Sequence, residues 1–272
     1  MNFQDKVIWI TGASSGIGEH LAYAFAEQGA KLALSSRNEK ELLRVKNNCG
    51  AGADILVLPL DVADFSAIEN AVKQLIEKYD RIDIVINNAG ISQRALAQET
   101  ALDVDQKILN VNYLGKVAVA KAVLPVLLRQ RAGQIVVISS VMGKIGVPYR
   151  SAYAASKHAL HGFFDSLRAE LYDHNIKVTI ICPGYVHTNV TINALKGDGS
   201  KNNVMADETR KGMEPGLFAQ KALRVIFKQK EEALIGGKEI FAVYLKRFFP
   251  GLLSKIVRRV NFKPTTKTSS LS

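Results

Sequence analysis

Six short runs in this chain are apolar almost without interruption: VIWI from Val7, KLALSS from Lys31, ILVLPL from Ile55, IDIVIN from Ile82, GQIVVIS from Gly133 and IKVTIIC from Ile176. A strand with one wet face alternates apolar and polar residues; a near-continuous apolar strand is covered on both faces. The segments between the runs carry apolar residues at helical spacing, and a weaker seventh run, EEALIG, begins at Glu231. This β-α alternation predicts an α/β fold with a doubly wound, seven-stranded parallel sheet and helices on both faces. The 272 residues lie within the range of one such unit and suffice for a large core. The expected organisation is a domain over residues 1–237, a basic amphipathic C-terminal extension over 238–262, and a disordered tail over 263–272.

With 47% hydrophobic and 22% charged residues, the composition is that of a soluble globular protein. No uninterrupted apolar run approaches the roughly 20 residues that cross a bilayer, and no signal-like segment precedes the first strand, which is expected near Lys6. Cys49, expected in a loop, and Cys182, expected in a buried strand, have no metal-ligand spacing, so neither a disulfide nor a metal is expected and a cytoplasmic setting fits. The net charge of +11 would suggest nucleic acid were it spread along the chain. Residues 221–272 hold 12 Lys/Arg against 3 Asp/Glu, so the excess is a property of the tail and no nucleic-acid partner is expected.

The stretch TGASSGIG, Thr11 to Gly18, leaves the first strand and opens a helix. Glycines there let backbone N–H groups approach a pyrophosphate, and the helix dipole favours its negative charge. The spacing is GxxxGxG rather than GxGxxG, so the general dinucleotide motif is not met, and such a turn on its own is also ordinary tight-turn chemistry. After the second strand, where many dinucleotide folds carry an acid for the ribose 2′-hydroxyl, this chain has Ser36 and Arg37. A guanidinium pairs with a 2′-phosphate, so NADP(H) is expected over NAD(H).

In SSVMGKIGVPYRSAYAASK, Tyr153 and Lys157 are four apart and share one helical face. A neighbouring ammonium favours the phenolate and brings a tyrosine towards proton transfer, while Ser140 on the preceding turn offers a hydroxyl to the same carbonyl oxygen. Alone, a YxxxK pair is common on amphipathic helices.

Taken together, TGASSGIG, LDV at Leu60–Val62, NNAG at Asn87–Gly90, NVN at Asn110–Asn112, YAASK and PGYVHT at Pro183–Thr188 occur in an order that resembles the short-chain dehydrogenase/reductase family, over about residues 5–236. VLPLDV, SQRALAQETALDV, NYLGKV and ASKHALHGFFDSLRAEL look most like the branch that includes 11β-hydroxysteroid dehydrogenases and dehydrogenase/reductase member 7. The resemblance implies a single-domain Rossmann fold and hydride transfer between a nicotinamide and a carbonyl or alcohol. It implies Tyr153 as general acid/base, Lys157 as the residue that lowers its pKa and holds the nicotinamide ribose, and Ser140 as ligand of the substrate carbonyl. Asn112 would keep a water near Lys157. Gly12, Ser14, Gly16, Ile17 and Gly18 would form the pyrophosphate loop, Asp61 and Val62 would meet adenine, Asn88 and Gly90 would flank the cofactor, and Val186 and Thr188 would contact the carboxamide. An NADP preference implies reduction as the cellular direction.

The resemblance further implies a homodimer or homotetramer built on the apolar segments Asp103–Arg131 and Ser151–Asn175. His158, His161 and His187 are expected to have no catalytic or metal role, Trp9 is expected in the core, and Tyr149 and Tyr185 are candidate substrate contacts. The irregular stretch His187–Pro215 is expected to be a substrate loop, often a lid. In the tail, Leu252, Leu253, Ile256, Val257 and Val260 share a helical face, with Phe241, Tyr244, Phe248 and Phe249 before them. That helix suits peripheral membrane contact, a partner subunit or a roof over the pocket, and in each case an apolar substrate such as a steroid, retinoid or ketone. The alternatives are a 3-oxoacyl-thioester reductase and a non-catalytic NADP(H)-sensing or membrane-docking protein.

Overall fold

Each apolar run becomes a strand because successive side chains leave it on opposite faces and both faces are covered. Val7 and Trp9 enter one hydrophobic layer, and Ile8 and Ile10 enter the other. The computed structural model describes residues 1–259. Its strands are β1 (Val7–Thr11), β2 (Lys31–Ser36), β3 (Ile55–Pro59), β4 (Ile84–Asn87), β5 (Gly133–Ile138), β6 (Ile176–Pro183) and β7 (Glu232–Ile235). They form one parallel sheet in the order β3-β2-β1-β4-β5-β6-β7, with Trp9 paired to Ala33 on one side and Val85 on the other. The order reverses between β1 and β4, and in such sheets ligands bind beyond the carboxyl ends of the strands at that switch point.

One layer over the sheet holds α1 (Gly16–Ala26), α2 (Glu39–Asn48) and α8 (Pro215–Phe227), which bury Leu21, Phe25, Leu42, Val45 and Phe218 against Ile8 and Ile10. The other holds α3 (Phe65–Tyr79), α5 (Gly115–Gln130) and α6 (Ser151–Glu170), with Leu75, Val123 and Phe164 against Val7 and Trp9. A fully buried residue of this size is worth about 1.5–3 kcal/mol. Trp9 is in the core as expected, and its indole N–H donates to Ser35 Oγ at 2.9 Å. The helices start where sequence caps them: Asn38 and Asp64 side chains each accept from an amide in the first turn of α2 and α3, both at 3.2 Å.

Between β4 and β5 the chain runs through α4 (Leu102–Leu109), a π turn at Asn110–Leu114 and α5. This stretch is long and apolar enough to cross a bilayer by composition, but half of its most apolar window is buried, as in a core helix. Cys49, directly after α2, and Cys182, inside β6, are both free.

The irregular stretch His187–Pro215 is less loose than its composition suggests. The amide of Leu195 donates to Ser92 O and the amide of Arg94 donates to Leu195 O, both at 2.8 Å, so the insertion is stitched to the segment after β4. Only α7 (Asp207–Arg210) interrupts it. The extension folds into α9 (Phe241–Phe248) and α10 (Pro250–Arg259). Leu253 is buried with Val141 and Ile145, and Val257 packs on them, whereas Leu252 and Ile256 remain about half exposed. The single apolar face expected of the tail is therefore divided, and Val260 and the 263–272 tail lie outside the described residues.

Candidate active site

The glycine turn is fixed by what its neighbours allow. Gly12 and Gly16 have φ of +65° and +58°, in the left-handed region, and a Cβ on Gly12 would lie 2.8 Å from Ala89 Cα. A Cβ on Gly18 would strike the Gly12 carbonyl oxygen. Asn88 braces this turn: its Nδ2 donates to Thr11 O and Gly12 O, both at 3.0 Å, and its own amide donates to Thr11 Oγ1 at 3.1 Å. The N-cap of α1, Ser15, makes no side-chain cap, so the first amides of the helix are left for another acceptor. That uncapped terminus, beside a turn whose glycines keep side chains off the backbone, fits a dinucleotide pyrophosphate. Thr188 closes the far side, its methyl carbon 3.1 Å from where a Gly16 Cβ would be, and Val186 is buried behind it.

At the tips of β2 and β3, Arg37 and Asp61 face each other across 3.9 Å, both well exposed. Asp61 Oδ1 accepts from the Ala63 amide at 3.0 Å, and Val62 is buried against Gly115. A guanidinium and a carboxylate therefore stand side by side beyond the ends of β2 and β3.

Tyr153 and Lys157 lie one turn apart on α6, with the Lys157 ammonium 5.5 Å from the Tyr153 ring centroid. Lys157 is buried and its Nζ donates to Ile138 O at 3.0 Å, the last carbonyl of β5. Ser140 follows that strand, with its Oγ accepting from the Met142 amide at 3.1 Å. Asn112 sits inside the π turn, a local widening that is frequent at functional sites. Its amide exchanges both hydrogen bonds with the backbone of Ile91, at 2.8 and 2.9 Å, and donates to Ser156 Oγ at 3.0 Å. Gly90 completes the group: a Cβ there would lie 3.2 Å from Asn112 Oδ1 and 3.7 Å from Lys157 Nζ. The motifs at Gly90, Asn112, Ser140, Tyr153 and Lys157, dispersed along the sequence, thus gather at the carboxyl edge of β4 and β5.

Ser140 and Tyr153 open on a cavity of about 240 Å³. Ile145 and Val147 form one wall, and Ala242, Leu253 and Val257 of α9 and α10 line another side of it. Tyr185 lines the cavity and also a smaller side chamber, which Tyr149, with a left-handed φ of +65°, lines too.

Several residues here carry no sequence signal. Arg150, buried at the start of α6, lines the cavity and donates to Ser92 Oγ and Gln93 O. Lys116 on α5 is fully buried, and its Nζ donates to Ile138 O at 2.6 Å, sharing that carbonyl with Lys157. Burial, and then the charge of Lys157, hold the Lys116 amine well below the ordinary lysine value. Glu239 accepts from the amides of Tyr185 and Gly237, both at 2.9 Å, which ties the start of the extension to the cofactor-side loop after β6.

His161 has more partners than its sequence position suggested. Its Nε2 lies 3.1 Å from Ser139 Oγ and 3.7 Å from Cys182 Sγ, and its Nδ1 lies 3.4 Å from Glu232. His161, Cys182 and Glu232 bring ligand-type atoms within 4.8 Å of one another. The imidazole turns different nitrogens to the thiol and to the carboxylate, however, and Lys144 pairs with Glu232 at 2.6 Å. The contact with His161 and that ion pair draw the Glu232 carboxyl down to about 2, while burial raises the Cys182 thiol to about 12.

The family profile described as short chain dehydrogenase matches residues 6–198. A bovine protein (Bos taurus), dehydrogenase/reductase SDR family member 7B, is 42% identical over 262 residues, which cover 93% of this chain and 81% of the relative. Among solved structures, a short chain dehydrogenase/reductase from Burkholderia phymatum in complex with NAD superposes with a TM-score of 0.82 at 23% identity, covering 99% of each chain. An alcohol dehydrogenase from Thermococcus sibiricus complexed with 5-hydroxy-NADP gives 0.74 at 27% identity over 87% of this chain and 98% of its own. With a family match across most of its length and a relative above 40% identity, this chain belongs to the short-chain dehydrogenase/reductase family of oxidoreductases.

Proposed function

We propose that the chain is an NADP(H)-dependent oxidoreductase that interconverts a carbonyl and an alcohol on a lipophilic substrate. The observation that carries this reading is that Ser140 and Tyr153 line one cavity whose roof is apolar, with the Lys157 ammonium 5.5 Å from the Tyr153 ring centroid. Gly12, Ser14, Gly16, Ile17 and Gly18 would hold the pyrophosphate of the cofactor, and Asp61, Val62 and Arg37 its adenosine end. Asn88 and Gly90 would flank the cofactor and Val186 and Thr188 would contact the carboxamide of the nicotinamide, which when bound supplies or accepts the hydride. Tyr153 gives its phenolic proton to the carbonyl oxygen in reduction and takes it back in oxidation. Ser140 donates to the same oxygen as it gains negative charge; a preorganised donor of this kind is worth on the order of 3 kcal/mol. Lys157 places positive charge beside the phenol, and Asn112 fixes the loop of Ile91 and the side chain of Ser156 around it.

The test is cofactor oxidation with NADPH beside NADH across ketones, aldehydes, steroids, retinals and acyl-thioesters, with Tyr153→Phe as control. Turnover that prefers NADPH and falls at least about 100-fold in the variant is expected. Equal or better use of NADH would overturn the cofactor preference, and the Asp61 carboxylate beside Arg37 would explain it. Cofactor binding without turnover would move the assignment to a sensor.

Two associations go with this reading. Leu114 and Leu128 are exposed on the segment 102–130, which supports a homodimer or homotetramer through that face, measurable by light scattering. Phe241, Tyr244, Phe248 and Phe249 are exposed among Lys246 and Arg247, which supports peripheral contact of a cytoplasmic enzyme with anionic lipid, measurable by vesicle co-sedimentation.

A further inference from the structure

Arg150 is a buried cation among neutral partners. It is 8% exposed, and Nη1 donates to Ser92 Oγ at 2.5 Å and to Gln93 O at 3.0 Å. Its Nε and Nη2 make no hydrogen bond among the described residues, and no carboxylate there forms an ion pair with it. Burial, then the like charge of Arg94, push its pKa down to about 10, with weaker opposite pulls from Tyr153, Tyr185 and Glu208. Two carboxylates lie nearby, Glu208 in a side chamber that Arg150 also lines and Glu239 in the main cavity, where Glu239 already accepts from the amides of Tyr185 and Gly237. A desolvated charge of this kind is costly unless something completes its pairing.

Its position says what completes it. Arg150 lines the cavity that holds Tyr153 and also a side chamber of about 20 Å³, room for about one water or one headgroup oxygen. Tyr149, held at a left-handed φ that is unfavourable for a bulky side chain, sets the turn that delivers Arg150 to this wall. Ser92, Thr191 and Thr209 add hydroxyls to the cavity, whereas Ile145, Leu253 and Val257 form one packed apolar cluster on its other part. A ligand matched to both is amphipathic, with a greasy body and an oxyanion.

We propose that Arg150 is an anion-binding residue of this cavity, pairing with an ionised carboxylate or phosphate ester on a lipophilic carbonyl substrate whose apolar part lies beneath α9 and α10. A planar guanidinium with free N–H groups suits the two oxygens of either group. The inference rests on the cavity being the substrate site, so its test reads binding rather than turnover.

Decanoate, decyl phosphate and decanol are titrated calorimetrically into the full chain loaded with NADPH, for the wild type, Arg150→Met and Arg150→Lys. The wild type is expected to bind at least one of the two anions at least about tenfold tighter than decanol. The gap closes in Arg150→Met and shrinks in Arg150→Lys, which keeps the charge but loses the fork. The tighter of the two anions identifies the headgroup. Equal binding of anions and alcohol to the wild type overturns the proposal, and so does a gap that survives in Arg150→Met, which would place the anion on the basic tail. Should the methionine variant fail to fold, Arg150→Lys alone decides, since an unchanged gap in it also overturns the assignment. An anion preference without NADPH oxidation of any carbonyl would refute the reductase but not this subsite; turnover of neutral ketones without the preference would do the reverse.

Discussion

Replacing Lys116 by methionine is expected to stabilise this protein at neutral pH, by an amount that shrinks as pH rises. Lys116 is fully buried, and its Nζ shares Ile138 O with Lys157, at 2.6 and 3.0 Å. Burial and the charge of Lys157 depress its pKa well below the ordinary 10.5, so between that depressed value and about 10.4 the unfolded chain carries a proton that the folded chain does not. Where the unfolded state binds one more proton, stability rises with pH at about 1.4 kcal/mol per pH unit. The wild type therefore loses stability as pH falls through this window, and the loss stops only at the depressed folded value. Methionine removes the titration and nearly matches the volume. It orphans nothing, because Lys157 still donates to Ile138 O. Urea unfolding of both proteins at a series of pH values from 7 to 9.5 should show the methionine variant ahead at pH 7, its lead falling as pH rises and reaching a slope of about 1.4 kcal/mol per pH unit above the depressed value. A lead that does not change with pH would refute the reasoning, since Lys116 would then ionise alike in both states. A variant less stable at every pH would show that the Lys116–Ile138 bond outweighs burial of the amine.

Other perturbations read other parts of the site. Gly18→Ala would force a methyl into the Gly12 carbonyl, so NADPH binding, followed by fluorescence titration, should weaken at least about tenfold. Arg37→Ala should lower the ratio of kcat/KM for NADPH over NADH by about tenfold or more, because one charge-assisted contact to a 2′-phosphate is lost; an unchanged ratio would assign that contact elsewhere. Asn112→Ala leaves the backbone N–H and C=O of Ile91 without their partner, at about 1–3 kcal/mol for each group that water does not reach, measurable by denaturant unfolding.

The parts of the fold that could be read from sequence are those where a local rule acts on every residue. Ile8 and Ile10 face one layer and Val7 and Trp9 the other, so both faces demand apolar side chains and the strand is continuous in the sequence. Gly12 and Gly18 were legible for a similar reason, since the backbone approach itself excludes a side chain. Tyr153 and Lys157 were legible through helical spacing and the family pattern. The seventh strand was faint because its first residue, Glu232, points an ionised group to Lys144 and His161 at the edge of the sheet. The division of the tail's apolar face was hidden, because helical periodicity says which residues align but not what covers them. Arg150 and Lys116 left no trace at all, since each draws its meaning from a carbonyl or hydroxyl far along the chain, Ser92 for one and Ile138 for the other.

Those two residues meet one physical difficulty with opposite means of relief. Each is a cation enclosed by neutral oxygens, and burial is the largest influence on both. A lysine can release its proton, so burial lowers the pKa of Lys116 and the cost appears as a pH-dependent stability. An arginine keeps its charge at any physiological pH, and even a value near 10 leaves Arg150 cationic at neutrality. Within the chain it has two neutral acceptors and the weaker pull of Glu208, and Arg150, unlike Lys116, lines a cavity through which a ligand's anionic group can reach it. The difference in side-chain chemistry thus separates a group that shapes folding from one that selects a ligand, although the sequence presents both as ordinary basic residues.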